Sequence, residues 1–297
     1  MKKILVTGAS GFIGRHSLPF LREFGYDIYA VSSKRQESQD IPWIQADLFN
    51  PQEVYKLMQE IQPSHLLHFA WEVTHGKLWT SAKNLDWVQA SLNLFQAFSQ
   101  VGGKRAVVAG TCAEYDWSTG HCIEGITPCD PFHLYGVCKT SLHKILTSFT
   151  KQVGISLAWG RIFFLYGPYE HPDRFIPMLI RKLRSQEKIP CTHGNQIRDF
   201  MHVKDVASAL VTLLNSELKG ALNIASGEPV SLKEIGTKIA SRLGAEGLIG
   251  WGDLPTPVHE PMYLTAATSR LYNELGWKKT YDLDQGLEDI LGTIIKK

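Results

Sequence analysis

The segment TGASGFIG, residues 7–14, places three glycines between an apolar run and an amphipathic run. Gly8 permits a tight turn after a strand, Gly11 lets an anion approach the backbone, and Gly14 lets the following helix pack closely on a sheet. A helix that starts in such a turn directs its unbonded N–H groups toward the carboxyl end of the strand. The segment therefore predicts a strand, a turn that binds a dinucleotide pyrophosphate, and a helix.

Strand-length apolar runs alternate with amphipathic runs along the first half of the chain. We expect strands at 3–7, 27–31, 65–69, 105–109 and 155–161, and helices at 13–24, 51–61, 85–100 and 135–153. The last helix carries an apolar stripe made of Cys138, Leu142, Ile145, Leu146 and Phe149. This alternation predicts an α/β fold, a Rossmann-type doubly wound parallel sheet with helices on both faces.

The regular alternation stops after residue 165. Prolines at positions 168, 172, 177 and 190 interrupt it. We therefore expect residues 1–165 to form a dinucleotide-binding domain, to which residues 200–225 return. A smaller C-terminal substrate-binding lobe would then comprise residues 166–199 and 226–297.

The composition indicates a small-molecule partner. The formal net charge of +2, from 31 Lys and Arg against 29 Asp and Glu, is too small for a nucleic-acid or membrane surface. No apolar run approaches the roughly 20 residues that span a bilayer, and the N-terminus is unlike a signal peptide, so we expect a cytoplasmic protein. Five cysteines without a Cys-x-x-Cys pair, and histidines without a His-x-x-x-His pair, favour neither a disulfide framework nor a metal site.

The residues after the second expected strand indicate which dinucleotide binds. Enzymes that prefer NAD usually place an acidic residue there to hold the ribose hydroxyls. This chain has Ser32, Ser33, Lys34 and Arg35 instead, and Arg15 follows the third glycine. Because hydroxyls and cations suit a 2′-phosphate, we expect NADP(H), with NAD as the alternative if Lys34 and Arg35 form only a solvated loop.

Tyr135 and Lys139 are four residues apart on an expected helix, so their side chains share one face. An ammonium about 4 Å from a phenol is worth about 4 kcal/mol at an effective dielectric of about 20. Such an interaction would lower the pKa of the phenol from about 10 by about three units. Tyr135 would then be suited to proton transfer near neutral pH.

Six motifs in order resemble those of the extended short-chain dehydrogenase/reductases of the nucleotide-sugar epimerase and dehydratase family. They are TGASGFIG, GTCAEY, YGVCK, RIFFLYGP, RDFMHVKDVA and ELGW, and together they extend over nearly the whole chain. The resemblance implies that Lys139 also holds the nicotinamide ribose and that Thr111 bonds the same sugar oxygen as Tyr135. It also implies a homodimer, formed through the helix before Thr111 and the helix that carries Tyr135.

On these grounds we expect a set of ligand contacts. The cofactor-binding residues are Gly8, Ser10, Gly11, Phe12, Ile13, Gly14, Arg15, Ser32, Ser33, Lys34, Arg35, Asp47, Leu48, Phe69, Ala70 and Lys139. The substrate-binding residues are Thr111, Tyr135, Trp71 and Arg198.

Three of these assignments have alternatives. Asp47 either accepts from the adenine amino group or caps the helix that begins near Pro51. Arg198 either binds the substrate diphosphate, as its motif implies, or forms an ion pair with Asp199 or Asp205. The aromatic residues Trp71, Trp79 and Trp87 are expected mainly in the core. Among them Trp71 follows a strand end and is best placed to face a sugar.

The chain also departs from the family pattern. Cys112 and Ala113 replace the Asp and Glu with which the dehydratases eliminate water, so dehydration is not expected. Ala113 also replaces a Cys of the reductases that epimerise, and Phe164 replaces an Asn that touches the diphosphate. The segment HEPMYL lacks an arginine that many relatives use for the same phosphates. Glu114 either faces the pocket or packs against Tyr115.

The sequence therefore predicts an NADP(H)-dependent oxidoreductase that reduces a nucleotide-linked keto sugar, with a 4-keto-6-deoxyhexose favoured. Tyr135 would donate the proton, while Lys139 and Thr111 hold the tyrosine and the substrate oxygen. The alternative is an NAD-dependent nucleotide-sugar 4-epimerase, which would use the same Tyr135 and Lys139 with a tightly bound NAD. A non-catalytic NADP sensor of this fold is disfavoured, because such proteins commonly lose the tyrosine.

Overall fold

The computed structural model describes residues 2–36, 41–74, 76–258 and 260–295. The strands are β1 (Lys3–Thr7), β2 (Asp27–Ser32), β3 (Trp43–Gln45), β4 (His65–His68), β5 (Arg105–Thr111), β6 (His121–Cys122), β7 (Ser156–Ile162), β8 (Phe164–Tyr166), β9 (Ile189–Cys191), β10 (Ile197–His202), β11 (Gly220–Ile224), β12 (Pro229–Ser231), β13 (Ile249–Trp251) and β14 (Tyr263–Ala266). The helices are α1 (Phe12–Glu23), α2 (Pro51–Ile61), α3 (Lys83–Gln100), α4 (Leu134–Val153), α5 (Phe175–Arg184), α6 (Val203–Leu214), α7 (Leu232–Arg242) and α8 (Leu283–Ile295).

Seven strands form one sheet in the order β11-β7-β5-β4-β1-β2-β3, and every pairing in it is parallel. The chain runs outward from β1 to β3 and then returns to β4 on the other side of β1. The strand order therefore reverses beside β1, which is where open α/β sheets bind their ligands. The expected Rossmann-type doubly wound sheet is confirmed.

The two faces of this sheet bury separate cores because successive side chains of a strand point to opposite faces. Ile4 and Val6 pack with α1 and α6, whereas Leu5 packs with α2, α3 and α4. The apolar stripe of α4 is buried at Cys138, Leu142 and Leu146, but Ile145 is 45% exposed, so its inclusion in the stripe was wrong.

A smaller sheet has the order β12-β10-β14-β6, with β8 added beside β10, and β9 pairs with β13. Helices α5, α7 and α8 contribute the buried side chains of a third core next to it. Strand β10 therefore belongs to this smaller sheet, although the sequence placed residues 200–202 with the larger one. The return to the larger sheet begins with α6, which packs on α1, and continues with β11, which pairs with β7. A strand pattern predicts a strand but not the sheet that it joins.

Candidate active site

In the glycine turn after β1, backbone atoms pack so closely that two positions leave no room for a side chain. Gly8 has a φ of +66°, and a Cβ there would lie 2.7 Å from the Ala70 nitrogen. A Cβ on Gly14 would lie 2.2 Å from the Gly8 carbonyl oxygen, so both positions require glycine. Helix α1 begins after Gly11, and no side chain in the described part of the chain caps it. Its first N–H groups are therefore available to an anion, as a dinucleotide diphosphate requires.

Several expected cofactor residues lie around this turn. The Ser10 hydroxyl is 3.2 Å from that of Ser32, which is buried and accepts from the Lys34 backbone N–H. Ser33, Lys34 and Arg35 follow β2 directly and are exposed. On the other side, Phe69 and Ala70 donate their N–H groups to the Thr7 carbonyl and hydroxyl oxygens. Phe12 and Ile13 form the first turn of α1 and are half-buried, whereas Leu48 is buried in the core.

Arg15 and Asp47 are both held by local contacts. The Arg15 guanidinium donates to the Ser10 carbonyl oxygen at 2.7 Å and lies 4.7 Å from the centre of the Tyr169 ring. The Asp47 carboxylate accepts from the Phe49 N–H, and Asn50 caps α2. The helix-capping role considered for Asp47 was therefore wrong, because the residue directly before the helix has an acceptor of the right length. Contacts of Arg15 and Asp47 with a cofactor stay predictions.

Thr111 and Tyr135 are brought together by close packing of α4 on β5. Thr111 is the last residue of β5, and Tyr135 lies in the first turn of α4. A Cβ on Gly136 would lie 2.2 Å from the Ala113 carbonyl oxygen, so the absent side chain permits this approach. The Thr111 side chain is close enough to Tyr135 to lower the pKa of its phenol, and both residues are more than nine-tenths buried.

The pKa of Tyr135 shifts in the opposite direction to the one expected from the sequence. Burial raises the pKa of Tyr135 above its ordinary value, and the neighbouring Thr111 side chain acts in the opposite direction. Burial also lowers the pKa of Lys139 to about 7, against the opposing attraction of Glu114. The expected lowering of the Tyr135 pKa by Lys139 was wrong for this state of the protein. The argument treated the two groups as a pair and left out the desolvation of each.

Lys139 has two clear partners. Its ammonium donates to the Ala109 carbonyl oxygen at 3.0 Å and lies 3.7 Å from the centre of the Trp71 ring. The ring of Tyr135 also meets Trp71 edge-on, with the ring centres 6.3 Å apart. Trp79 approaches Tyr135 from another side at 5.9 Å, and Trp87 stacks on Trp71. All three tryptophans pack on the core, and Trp71 and Trp79 do so in contact with Tyr135.

Glu114 does not face a pocket. Its fully buried carboxylate accepts from the Thr111 N–H, from the Trp159 indole at 2.8 Å and from Arg161 at 2.9 Å. Sequence analysis missed Arg161, which stands beside Gly110 only because β5 pairs with β7. This network braces the end of β5 that carries Thr111. Cys112 is buried in a separate apolar cluster, as expected.

Arg198 is 2% exposed, and its guanidinium donates to the carboxylate of Glu260. The guanidinium carbon also lies 5.4 Å from the centre of the Phe164 ring. The alternative of an ion pair with Asp199 or Asp205 named the wrong partners. Those two carboxylates accept from the backbone N–H groups of residues 226–227 and 280–281, respectively. The segment HEPMYL could have indicated this ion-pair partner, because it carries Glu260 but no arginine.

The described ranges of the chain hold no group of three or more His, Cys, Asp or Glu side chains arranged around a common metal position. None of their helices is long and apolar enough to cross a membrane.

Comparison with known proteins identifies the family. Residues 4–225 match the model of the NAD dependent epimerase/dehydratase family, about three quarters of the chain. The chain belongs to this family. The expected resemblance to extended short-chain dehydrogenase/reductases of the nucleotide-sugar epimerase and dehydratase group is thereby confirmed. Binding of a nicotinamide cofactor follows from the same match and from the fit of the glycine turn.

Individual relatives differ in their reactions. The dTDP-6-deoxy-L-talose 4-dehydrogenase (NAD(+)) of Aggregatibacter actinomycetemcomitans is 28% identical over 77% of this chain and 86% of its own. The CDP-abequose synthase of Salmonella typhimurium is 24% identical over 97% of both chains. The UDP-glucose 4-epimerase of Thermotoga maritima, solved with UDP-glucose, superposes with a TM-score of 0.89 at 20% identity over 99% of both chains. The last likeness supports the fold alone.

Proposed function

We propose that this protein is an NADP(H)-dependent oxidoreductase that reduces the keto group of a nucleotide-linked sugar, with a 4-keto-6-deoxyhexose as substrate. The observation that carries the proposal is the buried pair of neighbouring side chains Thr111 and Tyr135, with Lys139 one helical turn further on. This pair lies at the carboxyl end of β5, in the same sheet as the glycine turn.

The protonation of Tyr135 supports the direction of the reaction. Burial raises its pKa, so the phenol carries its proton at neutral pH. A protonated phenol is the state required to donate to the oxygen of a carbonyl group that is being reduced. As the carbonyl carbon accepts a hydride, its π electrons move to the oxygen, which takes the Tyr135 proton. The Thr111 hydroxyl and the Lys139 ammonium, one helical turn along α4, would then stabilise the phenolate.

The residues around the glycine turn fit a nicotinamide dinucleotide. The N-terminus of α1 would hold the pyrophosphate, and Lys139 the nicotinamide ribose. When bound, the reduced cofactor supplies the hydride. We assign the 2′-phosphate of NADP to Ser32, Ser33, Lys34 and Arg35, because no carboxylate occurs at positions 32–36 to repel it. The relative from Aggregatibacter uses NAD(+) by its name, so the cofactor choice requires a direct measurement.

Two features support the substrate class. A 4-dehydrogenase acting on a dTDP-linked 6-deoxy sugar is among the relatives, and reduction of a 4-keto group is that reaction in reverse. Cys112 and Ala113 occupy the positions at which a dehydratase needs an acid and a base. We place the sugar against Thr111, Tyr135 and the Trp71 side of the site. The diphosphate would reach Arg198.

A homodimer through α3 and α4 is also part of the proposal. These neighbouring helices carry exposed apolar side chains at Leu85, Val137, Ile145 and Val153, each more than 40% exposed. Exposed apolar residues on adjacent helices favour burial against another molecule. We expect Val137→Glu combined with Ile145→Glu to halve the mass measured by light scattering. An unchanged mass would contradict this interface.

The deciding experiment follows reduced cofactor during turnover. Purified protein is mixed with NADPH or NADH and a dTDP-, UDP- or CDP-linked 4-keto-6-deoxyhexose, and the absorbance of the reduced nicotinamide is recorded. We expect stoichiometric loss of NADPH, with NADH consumed more slowly. Tyr135→Phe is the control for catalysis at this site.

The same reactions distinguish the epimerase alternative. An epimerase interconverts nucleotide sugars that carry no keto group, and the total of reduced cofactor stays constant. It would also release stoichiometric NAD when the purified protein is denatured. Either result, in place of NADPH consumption, would overturn the reductase proposal.

A further inference from the structure

Trp71 touches both residues proposed to carry the chemistry. Its ring centre is 3.7 Å from the Lys139 ammonium, and its ring meets the edge of the Tyr135 ring. Trp71 is 9% exposed and Lys139 is 3% exposed, so water screens this contact only weakly.

The orientation of the Trp71 ring is fixed from behind. Its indole N–H donates to the Asn84 side-chain oxygen at 2.9 Å. The Asn84 amide nitrogen in turn donates to the carbonyl oxygens of Leu78 and Ser81, at 2.8 and 2.9 Å. Asn84 is 2% exposed. A ring tied to the backbone in this way cannot turn its face from the ammonium without breaking buried hydrogen bonds.

An aromatic face suits a lysine that must also bind other groups. A buried ammonium loses its hydration and needs a compensating attraction. A carboxylate at this place would compete for the N–H donors and bind them as a salt bridge. The face of an indole attracts the charge through its quadrupole and offers no lone pair.

We propose that Trp71 is a positioning residue for Lys139, holding the ammonium through its ring face, with the ring itself oriented by Asn84. The role of this contact in the reaction rests on the proposed function. The contact itself exists whether or not a keto sugar is the substrate. The sequence allows two other roles for Trp71, packing in the core and contact with the sugar. Neither role requires the ring face to interact with a charge.

The titratable groups around Lys139 decide whether a titration near neutral pH reports on Lys139 itself. Glu114, on the turn after β5, raises the pKa of Lys139. His68, on β4, is held neutral at physiological pH, because burial and the Lys139 charge lower its pKa to about 3. Tyr135, on the same helix, keeps its proton to a pKa above the ordinary value. Near neutral pH, therefore, Lys139 is the group in this set that changes charge, since burial places its pKa at about 7.

Fluorinated tryptophan tests the ring face without changing the shape of the side chain. Fluorine withdraws electron density and weakens the attraction of the ring for a cation. The protein is produced with tryptophan, monofluorotryptophan or trifluorotryptophan, and the Lys139 side chain is titrated by NMR, assigned by its absence in Lys139→Met. We expect the pKa of Lys139 to fall at each step, by a total of about 0.5 to 1 pH unit.

A matched variant isolates Trp71 from the other seven tryptophans. Trp71→Phe keeps an aromatic face that fluorotryptophan cannot modify, so its Lys139 pKa should not respond to fluorination. Trp87→Phe removes the ring stacked on Trp71 and should leave the response intact. A Lys139 pKa that is independent of fluorination in the wild-type protein, or equally dependent on it in Trp71→Phe, would overturn the proposal.

Turnover provides the second readout. The limb of the pH profile of kcat/KM that belongs to Lys139 should move with fluorination by the same amount as the NMR titration. If the protein reduces no keto sugar, the NMR result still decides whether Trp71 holds Lys139. If the NMR titration responds and the pH profile of an active enzyme does not, Trp71 holds the lysine without positioning it for the reaction, and the proposal is wrong.

Discussion

The candidate site has a cofactor side and a substrate side. They differ in whether an anion-binding group is already paired with a carboxylate of the protein. On the cofactor side, the glycine turn of residues 7–14 ends in a helix without a side-chain cap, and Lys34 is exposed nearby. On the substrate side, Arg198 is 2% exposed and is paired with Glu260. A cofactor anion thus meets backbone N–H groups and exposed cations. A substrate diphosphate would meet a guanidinium that already has an anionic partner.

Two groups that can each bind an anion therefore do not make equivalent binding sites. Backbone N–H groups at a helix start are fixed by the fold and lose little when a ligand binds. A buried guanidinium is stabilised by whichever carboxylate or phosphate reaches it, so the ligand must replace the internal partner. The chain keeps the arginine of its family motif but supplies an internal anion in HEPMYL. Cofactor affinity and substrate affinity should therefore respond differently to removal of charge.

Removing the proton donor between the two sides should reduce activity more than any other change considered. Tyr135→Phe keeps the ring packed between Trp71 and Trp79 but removes the proton donor. We expect turnover to fall by about 10²–10⁴-fold, with NADPH affinity within about twofold of the wild type because the phenol hydroxyl is not expected to hold the pyrophosphate. Tyr115→Phe is the control, because it removes another buried phenol that donates to Asn223. Retained turnover in Tyr135→Phe would exclude it as the proton donor.

The next effect tests the cofactor side. Replacing Lys34 and Arg35 together with alanine should weaken NADPH binding about tenfold or more, since even one hydrogen bond to a charged group contributes about 1.5 to 3 kcal/mol. NADH, which lacks the 2′-phosphate, should bind nearly unchanged. Fluorescence titration of each cofactor measures the difference. Lys56→Ala with Lys83→Ala removes the same charge from exposed positions elsewhere. Equal losses for NADPH and NADH would contradict the assignment of the 2′-phosphate.

Local sequence was sufficient for the cofactor side. The glycine turn, the strand before it and the helix after it are consecutive, so spacing and periodicity predict them. Tyr135 and Lys139 are likewise four residues apart on one helix. Their proximity to Thr111 came from a resemblance to the family, and the structure provides its physical reason in the close packing at Gly136.

What the sequence could not supply depends on pairing across long separations. Arg198 and Glu260 are 62 positions apart in the sequence, and they meet because β14, which begins shortly after Glu260, pairs with β10. Glu114 meets Arg161 only across β5 and β7. The sign of the Tyr135 pKa shift was wrong for a related reason, because burial is a property of the assembled fold. The spacing of two residues in a sequence indicates that their side chains are neighbours, but it does not show how far the fold excludes water from them.

A smaller effect is expected when the internal anion on the substrate side is neutralised. Glu260→Gln should strengthen binding of UDP or dTDP about fivefold, on the basis of about 1 kcal/mol for a partly exposed ion pair. Arg198→Gln should weaken the same binding, and calorimetry measures both. Glu228→Gln, which breaks an ion pair with Lys279 in the same lobe, serves as the control. Unchanged affinity in Glu260→Gln, with a loss in Arg198→Gln, would mean that Glu260 does not compete with the ligand.

A third titratable group is next in sequence to a residue that contacts the start of α1. Glu170 follows Tyr169, whose ring lies beside Arg15 and His16 at the start of α1. Burial raises the pKa of Glu170 to about 8, and Arg174 acts in the opposite direction. Its Oε2 atom is buried without a hydrogen-bond partner among the described residues. A carboxyl group that stays protonated here does not repel a diphosphate bound at the glycine turn.

This protonation has a stability consequence of known sign. Between pH 4.5 and pH 8 the folded protein holds the Glu170 proton and the unfolded chain does not, so the free energy of unfolding falls as the pH rises. Glu170→Gln removes this dependence, and we expect it to be about 0.5 to 1 kcal/mol more stable than the wild type at pH 8, discounted for partial exposure, and about equal at pH 4.5. Urea unfolding at both pH values measures this, with the exposed Glu187→Gln as the control. An equal difference at both pH values would mean that Glu170 is ionised throughout, and a charge would then face the cofactor side.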